Sequence, residues 1–340
     1  MRVLVTGAAG FICGYVVPEL LKAGHEVIGV DNYSKYGPTT RSYDHDPRYQ
    51  LVEGDAKDAG LLTKLATSCD QVLAGAAMIG GISYFHEFAY DLLAENERIL
   101  AATFDAAIQA CKNGHLKKIT VLSSSMVFES ATVFPTPEGA QLTSPPPQST
   151  YGFQKLAAEY FAKGAWEQYQ LPYTIVRPFN CVGIGERRAR TDVEIMSGNV
   201  KLAMSHVLPD LVQKVLKGQD PLHLLGDGSQ VRHYTYGGDL AHGIRLCIES
   251  PAARNEDFNI STATSTTVLE LAELVWQKIH GADRPLRVVN DPPFEYDVQM
   301  RVPDVAKARR VLGFEATTPL SEVLDEVIPW IQAEITAGRI

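Results

Sequence analysis

Through the first half of the chain, short and nearly continuous apolar runs alternate with longer stretches whose apolar residues recur at helical spacing. RVLVT (2–6) is the first run, and residues 10–23 follow with the period of a helix. HEVIGV (25–30) reads as a second buried strand, and YQLVEG (49–54) and DQVLAG (70–75) as further ones. An apolar stripe over residues 87–113 predicts a long helix, and KKITVLSS (117–124) a fifth strand. Residues 151–169 then predict a helix and PYTIVRP (172–178) another strand. Strands that are apolar along their whole length are covered on both faces, and amphipathic helices between them make the pairing parallel. Right-handed crossovers then give a doubly wound α/β sheet.

Beyond Pro178 the rhythm breaks. A loop over residues 180–199 leads into shorter helices, strands and turns such as GDGSQ (226–230), which predicts a smaller C-terminal α/β lobe. Residues 1–178 are expected to form the sheet domain, with 231–262 returning to it, and residues 179–340 the lobe. A Pro-rich surface loop (134–147) precedes the helix that starts at Tyr151. Neither an internal repeat nor a low-complexity linker is visible, so the lobe is grafted onto the sheet and not tethered to it.

Composition narrows the classes. The 340 residues are 45% hydrophobic with a net charge of −9, an ordinary globular balance that argues against nucleic acid or an anionic membrane as the main partner. Five scattered cysteines without C-x-x-C spacing predict reduced thiols in a cytoplasmic protein, not a disulfide framework or a metal site. Residues 3–18 are uncharged like a leader core, but Gly7, Gly10 and Gly14 lie there in a strand–turn–helix context, which makes the stretch part of the domain.

The glycine turn carries the first candidate chemistry. In VLVTGAAGFIC, Gly7 and Gly10 allow backbone amides to approach a pyrophosphate at a helix N-terminus, and Phe11 and Ile12 open that helix. The third glycine of the dinucleotide pattern is replaced by Cys13, beside Gly14. Asp31 ends the second strand about twenty residues on, where a carboxylate accepts both ribose hydroxyls and repels a 2′-phosphate. The expectation is a Rossmann domain that binds NAD in preference to NADP. Asp31 in DNY and Asp55 in EGDAKD are also ordinary turn residues; only the order of strand, glycine turn, helix, strand and Asp makes the pattern specific.

Tyr151 and Lys155 form Y-x-x-x-K at a helix start, so the ammonium lies on the same face as the phenol. An unperturbed tyrosine, with a pKa of about 10, is a poor base at neutral pH; a nearby cation favours its phenolate. Ser123, Ser124 and Ser125 end the fifth strand at the sheet's carboxyl edge, where a hydroxyl can bridge substrate and Tyr151. Y-x-x-x-K alone is common on surface helices. Its combination with the glycine turn, Asp31 and the serine-ended strand is not.

Along nearly its whole length the chain resembles the extended short-chain dehydrogenase/reductase family of nucleotide-sugar epimerases and dehydratases. The resemblance is carried by TGAAGFI, VDNYS, GDAKD, the AA of AGAAMIGGI, Asn96, SSSMVF, YGFQK, RPFNCVGIGE, LLGDGSQVRHYTYGGDLA and RVPDVAKARRVLGF. It implies hydride transfer between a sugar C4 and NAD, with Tyr151 as base, Lys155 as its partner and Ser124 as the catalytic hydroxyl. It extends the cofactor contacts to Asn32, Asp55, Ala56, Ala76 and Asn96. It also implies a nucleotide-diphosphate sugar held by Asn180, His206, Val207, Arg232 and Arg301, with Gly81, Ser125 and Met126 beside the sugar, and a homodimer paired through two helices.

The same resemblance separates chemistries. Dehydratases of this pattern carry an Asp–Glu pair where Ser125 and Met126 stand, related decarboxylases a Glu at Met126, and a 3,5-epimerase a Cys there. Methionine has no proton to exchange, so a C4 epimerase, UDP-sugar favoured, is the expectation. A dehydratase, decarboxylase, 3,5-epimerase or 4-ketoreductase of the same fold is the alternative, and a non-catalytic NAD-binding scaffold the remote one. The run Arg187, Arg188 and Arg190 reads as a solvated loop or a clamp for an anionic group.

Overall fold

A computed structural model describes residues 1–79, 88–186, 195–197, 199–202, 206–292 and 298–340. Its centre is a parallel sheet of seven strands: β1 (Arg2–Thr6), β2 (Glu26–Asp31), β3 (Tyr49–Glu53), β4 (Gln71–Ala74), β5 (Lys118–Leu122), β6 (Tyr173–Pro178) and, far along the chain, β8 (Glu256–Ile260). The spatial order is β8-β6-β5-β4-β1-β2-β3, with every neighbouring pair parallel. Order reverses beside β1, which opens a crevice at the carboxyl edge between β1 and β4.

Both faces of the sheet are covered, as the unbroken apolar strands require. On one face, α1 (Cys13–Lys22) packs Val16, Val17 and Leu20 against Leu240, Ile244 and Cys247 of α6 (Gly237–Glu249). On the other, Leu62 of α2 (Ala59–Ala66), Phe104 and Ala107 of α3 (Ala89–Lys112), and Ala158 and Ala162 of α4 (Thr150–Tyr169) form a second core with Leu4, Ile119 and Val121. Two buried polar side chains tie α6 to the sheet. Gln71 Nε2 donates to the Ile248 carbonyl (2.8 Å) and Lys118 Nζ to that of Cys247 (2.6 Å).

The C-terminal lobe has its own core. Leu208, Leu211 and Val212 of α5 (Val207–Leu216) meet Leu271, Val275 and Trp276 of α7 (Val268–His280), and Val323, Leu324, Val327 and Ile331 of α9 (Leu320–Thr336). Strands β7 (Leu222–Leu225) and β9 (Val288–Asp291) pair in parallel beside it. Between lobe and sheet, Tyr15 of α1 accepts a hydrogen bond from the Ile184 amide (2.7 Å), and its ring meets Tyr236 edge-on.

The irregular glycine turn has a local explanation. Cys13 is buried, and its sulfur occupies the space beside Gly75, where a β-carbon would lie 2.6 Å from Sγ and 2.8 Å from the Thr6 carbonyl oxygen. The missing third glycine of the motif is thus offset by a glycine at the end of β4. Gly75→Ala should therefore overpack this junction and destabilise the protein by about 1–3 kcal/mol. Denaturant unfolding that gives wild-type stability for the variant would contradict this account.

Candidate active site

Because all seven strands run the same way, the segments after β1, β2, β3, β4, β5 and β6 gather at one edge, and the candidate residues lie in those segments. Gly7 has φ +73°, and a β-carbon there would stand 2.8 Å from Ala76 Cα. Only glycine lets the turn after β1 approach the backbone after β4 so closely. Gly10 follows, Phe11 sets its ring edge on Tyr15, and Ile12 caps α1. Asp31 accepts the Ala9 amide on Oδ2 (3.0 Å) and the Tyr33 amide on Oδ1 (2.8 Å). Burial raises its pKa, opposed by those two amides and by Arg41. A bare, close-approach backbone turn with a carboxylate at the end of β2 is the donor and acceptor set that a dinucleotide's pyrophosphate and ribose diol require.

Asn32 Nδ2 reaches Asp55 Oδ2 at 3.4 Å, joining the ends of β2 and β3, with Ala56 buried beside them. Asn96, wholly buried on α3, uses its amide on the chain after β4: Oδ1 accepts the Met78 N–H (2.6 Å) and Nδ2 donates to the Met78 carbonyl (2.9 Å). Its direct effect is to hold the segment of Ala76. Arg41 was not singled out from the sequence. Its Nη2 donates to the Ala9 carbonyl (3.1 Å) and its guanidinium lies against Gly14, which places a cation behind the glycine turn. The long stretch between β2 and β3 gives no periodic signal that would have pointed to it.

The catalytic candidates converge at the end of β5. Ser149 caps α4 by accepting the Gly152 amide (3.0 Å), so the helix begins with Tyr151 and Lys155 one turn apart on its buried side. Lys155 Nζ lies 5.9 Å from the centre of the Tyr151 ring and donates to the Leu122 carbonyl (3.0 Å). Burial lowers the Lys155 pKa to about 8. Burial raises that of Tyr151, while a hydrogen bond with Ser124 and the charge of Arg301 act to lower it. Ser124 Oγ also accepts the Met126 amide (3.1 Å) at the start of a 3-10 turn over Ser125–Phe128. Met126 is buried against Tyr151 and Leu92, and Ser125 is buried beside it.

The remaining candidates divide. Asn180, just past β6, has φ +36°, and its Oδ1 accepts from Arg301 Nη1 (3.5 Å). Arg301 Nη2 lies 2.8 Å from Met126 Sδ, so this arginine stands at the turn after β5. Arg232 is nearly buried and donates to the Val231 carbonyl (3.0 Å). His206 precedes Val207, the first residue of α5, and its Nδ1 pairs with the buried carboxylate of Glu186. Gly81 and Arg187, Arg188 and Arg190 lie outside the described residues.

A family model described as the NAD dependent epimerase/dehydratase family matches residues 3–261. The chain belongs to that family. Its members are NAD-dependent nucleotide-sugar enzymes, and NAD is the cofactor that the cradle fits. A UDP-glucose 4-epimerase of Lactobacillus helveticus is 27% identical, over 96% of this chain and 95% of its own. A UDP-N-acetyl-alpha-D-glucosaminuronate decarboxylase of Bacillus cytotoxicus is equally similar at 27%, over 97% and 98%. Among solved structures, the UDP-glucose 4-epimerase of Thermotoga maritima with UDP-glucose has a TM-score of 0.79 and 28% identity, covering 98% of this chain and 100% of its own. The UDP-glucuronic acid 4-epimerase of Bacillus cereus, solved with UDP-glucuronic acid and NAD, has a TM-score of 0.80 and 25% identity, over 98% and 99%. Among the described residues, no helix is long and apolar enough to cross a membrane.

Two measurements test this geometry. With its pKa depressed, Lys155 of the cofactor-free protein should lose its charge as the pH rises through about 8. Lysine-selective NMR that finds Lys155 still charged above pH 10 would contradict the burial argument. Calorimetry should show NAD binding far more tightly than NADP, with Asp31→Ala narrowing the gap.

Proposed function

We propose that the protein is a NAD-dependent 4-epimerase of a nucleotide-diphosphate sugar, a UDP-sugar in first place. NAD, when bound, accepts a hydride from the sugar C4 and returns it. Tyr151 takes the proton of the C4 hydroxyl, helped by the Ser124 hydroxyl, and Lys155 and Arg301 supply the positive charge that favours the phenolate. After the keto sugar turns over in the site, Tyr151 gives the proton back to the new alcohol. Residues 1–178, with 231–262, would hold the cofactor, and the lobe over 179–340 the nucleotide, with Asn180, Val207 and Arg232 along it.

The observation that carries this reading is Met126. It is packed on Tyr151, where the resemblance puts a carboxylate or thiol in enzymes that act at other carbons, and a thioether exchanges no proton at any pH. Cys181 is a poor base in its place, because desolvation and the charge of Glu186 push its thiol well up. With Tyr151, Lys155 and Ser124 as the machinery, inversion at C4 is the reaction that needs nothing more.

A second reading rests on one contact. The guanidinium of Arg301 at Met126 Sδ puts a fixed cation beside the sugar site, which would suit a uronate carboxylate; the substrate would then be a nucleotide-linked uronic acid, epimerised or decarboxylated. The proposed homodimer is supported by Tyr90 of α3 and by Phe153 and Tyr160 of α4, which are 76%, 48% and 59% exposed. Light scattering at micromolar concentration should give twice the chain mass, and a monomer would remove the dimer.

The test is incubation with UDP-, GDP-, dTDP- and CDP-sugars, including uronates, followed by NMR. The expected product is a C4 epimer, lost in Tyr151→Phe with NAD still bound, and reduced about 10²–10⁴-fold in Ser124→Ala. Solvent deuterium at C3 or C5 of the product, or carbon dioxide from a uronate, would overturn the 4-epimerase.

A further inference from the structure

Beneath the catalytic turn lies a buried charge that the chemistry above leaves unused. Glu159 stands one helical turn after Lys155 on α4 and is 1% exposed. Its carboxylate accepts four hydrogen bonds. Arg177 gives two, Nε to Oε1 (2.7 Å) and Nη2 to Oε2 (2.8 Å). Ser123 Oγ donates to Oε1 (2.7 Å) and Gln141 Nε2 to Oε2 (3.1 Å). Arg177, buried on β6, also pairs through Nη1 with Asp257 Oδ2 of β8 (2.8 Å). Lys307 of α8 (Ala306–Leu312) closes the row on Asp257 Oδ1 at 2.8 Å. The guanidinium lies 5.0 Å from the centre of the Phe128 ring, the last residue of the turn that begins after Ser124.

Removing a carboxylate and a guanidinium from water costs several kcal/mol each, and an apolar pair of similar volume often stabilises a core better. A buried fork–fork pair offers direction instead: its hydrogen bonds fix where each partner stands. Here the fixed parts are the helix of Tyr151 and Lys155, the strand β6 and the end of β5. Ser123 is the residue immediately before Ser124. A hydroxyl anchored on α4 therefore sets how far the Ser124 side chain stands from Tyr151, a distance that otherwise depends on two separate elements. Lys155 reaches back to the same strand end through the Leu122 carbonyl, so Leu122, Ser123 and Ser124 all lean on α4.

We propose that Glu159 and Arg177 are positioning residues: the carboxylate, gripped by Arg177, holds Ser123 and through it keeps Ser124 in register with Tyr151 and Lys155. This rests on the reading of Tyr151, Ser124 and Lys155 as the acid–base group. Among the described residues, the groups around Tyr151 include Ser124 from the β5 end, Lys155 from its own helix, Arg301 from the segment before α8, and the apolar side chains of Met126 and Leu92, with Met78, Phe88 and Val298 packed on the same cluster. Loosening Ser124 weakens a hydroxyl that stabilises the phenolate, so the Tyr151 titration should move to higher pH.

Ser123→Ala is the deciding variant, because it removes the hydroxyl and leaves the ion pair in place. In NAD-bound enzyme it should lower kcat about 10- to 100-fold with KM nearly unchanged, the signature of lost alignment and not of lost binding. The acid limb of the kcat–pH profile and the Tyr151 titration, followed by NMR of carbon-13 ring-labelled tyrosine, should both shift upward. Glu159→Gln, if folded, should shift both in the same direction. Wild-type kcat and an unmoved Tyr151 titration in Ser123→Ala, with a lowered melting temperature alone, would overturn the proposal and leave the pair purely structural. Should the wild-type enzyme turn over no nucleotide sugar, the functional reading fails, while the Tyr151 titration still decides whether Ser123 positions the turn.

Discussion

In a sheet whose strands all run in parallel, the segments that follow the strands gather along one edge, and every strand order reversal leaves a crevice there. This protein's chemistry depends on that constraint. The glycine turn, Asp31, the Ala76 segment and the serine-ended β5 are spread over more than a hundred residues of chain, yet they end on the same line. What each strand end can do is then set by burial. The ammonium of Lys155 is enclosed and held by a backbone carbonyl, so its charge is easily lost; the phenol of Tyr151 is enclosed and resists ionisation. An ammonium and a phenolate brought together would offset part of each other's burial.

The conflict between desolvation and charge explains the surrounding architecture. A cation such as Arg301, whose charge cannot be titrated away, is useful beside a lysine with a depressed pKa. Met126 keeps the neighbourhood apolar, which strengthens each remaining electrostatic contact. The buried Glu159–Arg177 pair belongs to the same economy of charge: its carboxylate is saturated with donors and contributes position instead of proton transfer.

The sheet was legible because its strands are apolar throughout and its helices keep a clean period, so the six strands expected before residue 179 are the ones observed. The glycine turn, Asp31 and Tyr151–Lys155 were legible for a related reason: their spacing is local, set by one turn or one helix. Other residues act across the fold. Arg301 is 150 residues beyond Tyr151, and its place at Met126 depends on how the lobe folds back, which no local pattern encodes. Arg41 sits in an aperiodic loop, and Asn96 supports the Ala76 segment through two backbone contacts that only the packed helix reveals. Cys13 looked like a defect in the glycine motif until Gly75, sixty-two positions away, supplied the missing space.

The central claim is that one hydrogen leaves C4 and returns to C4 without exchange, with no proton chemistry at any other carbon. It is tested most directly with a nucleotide sugar deuterated at C4, followed by NMR of substrate and product at equilibrium. The account predicts that the deuterium stays at C4 in both epimers, with none lost to water and none gained at C3 or C5. Loss of the C4 label to solvent, or solvent hydrogen exchange at C3 or C5, would contradict it.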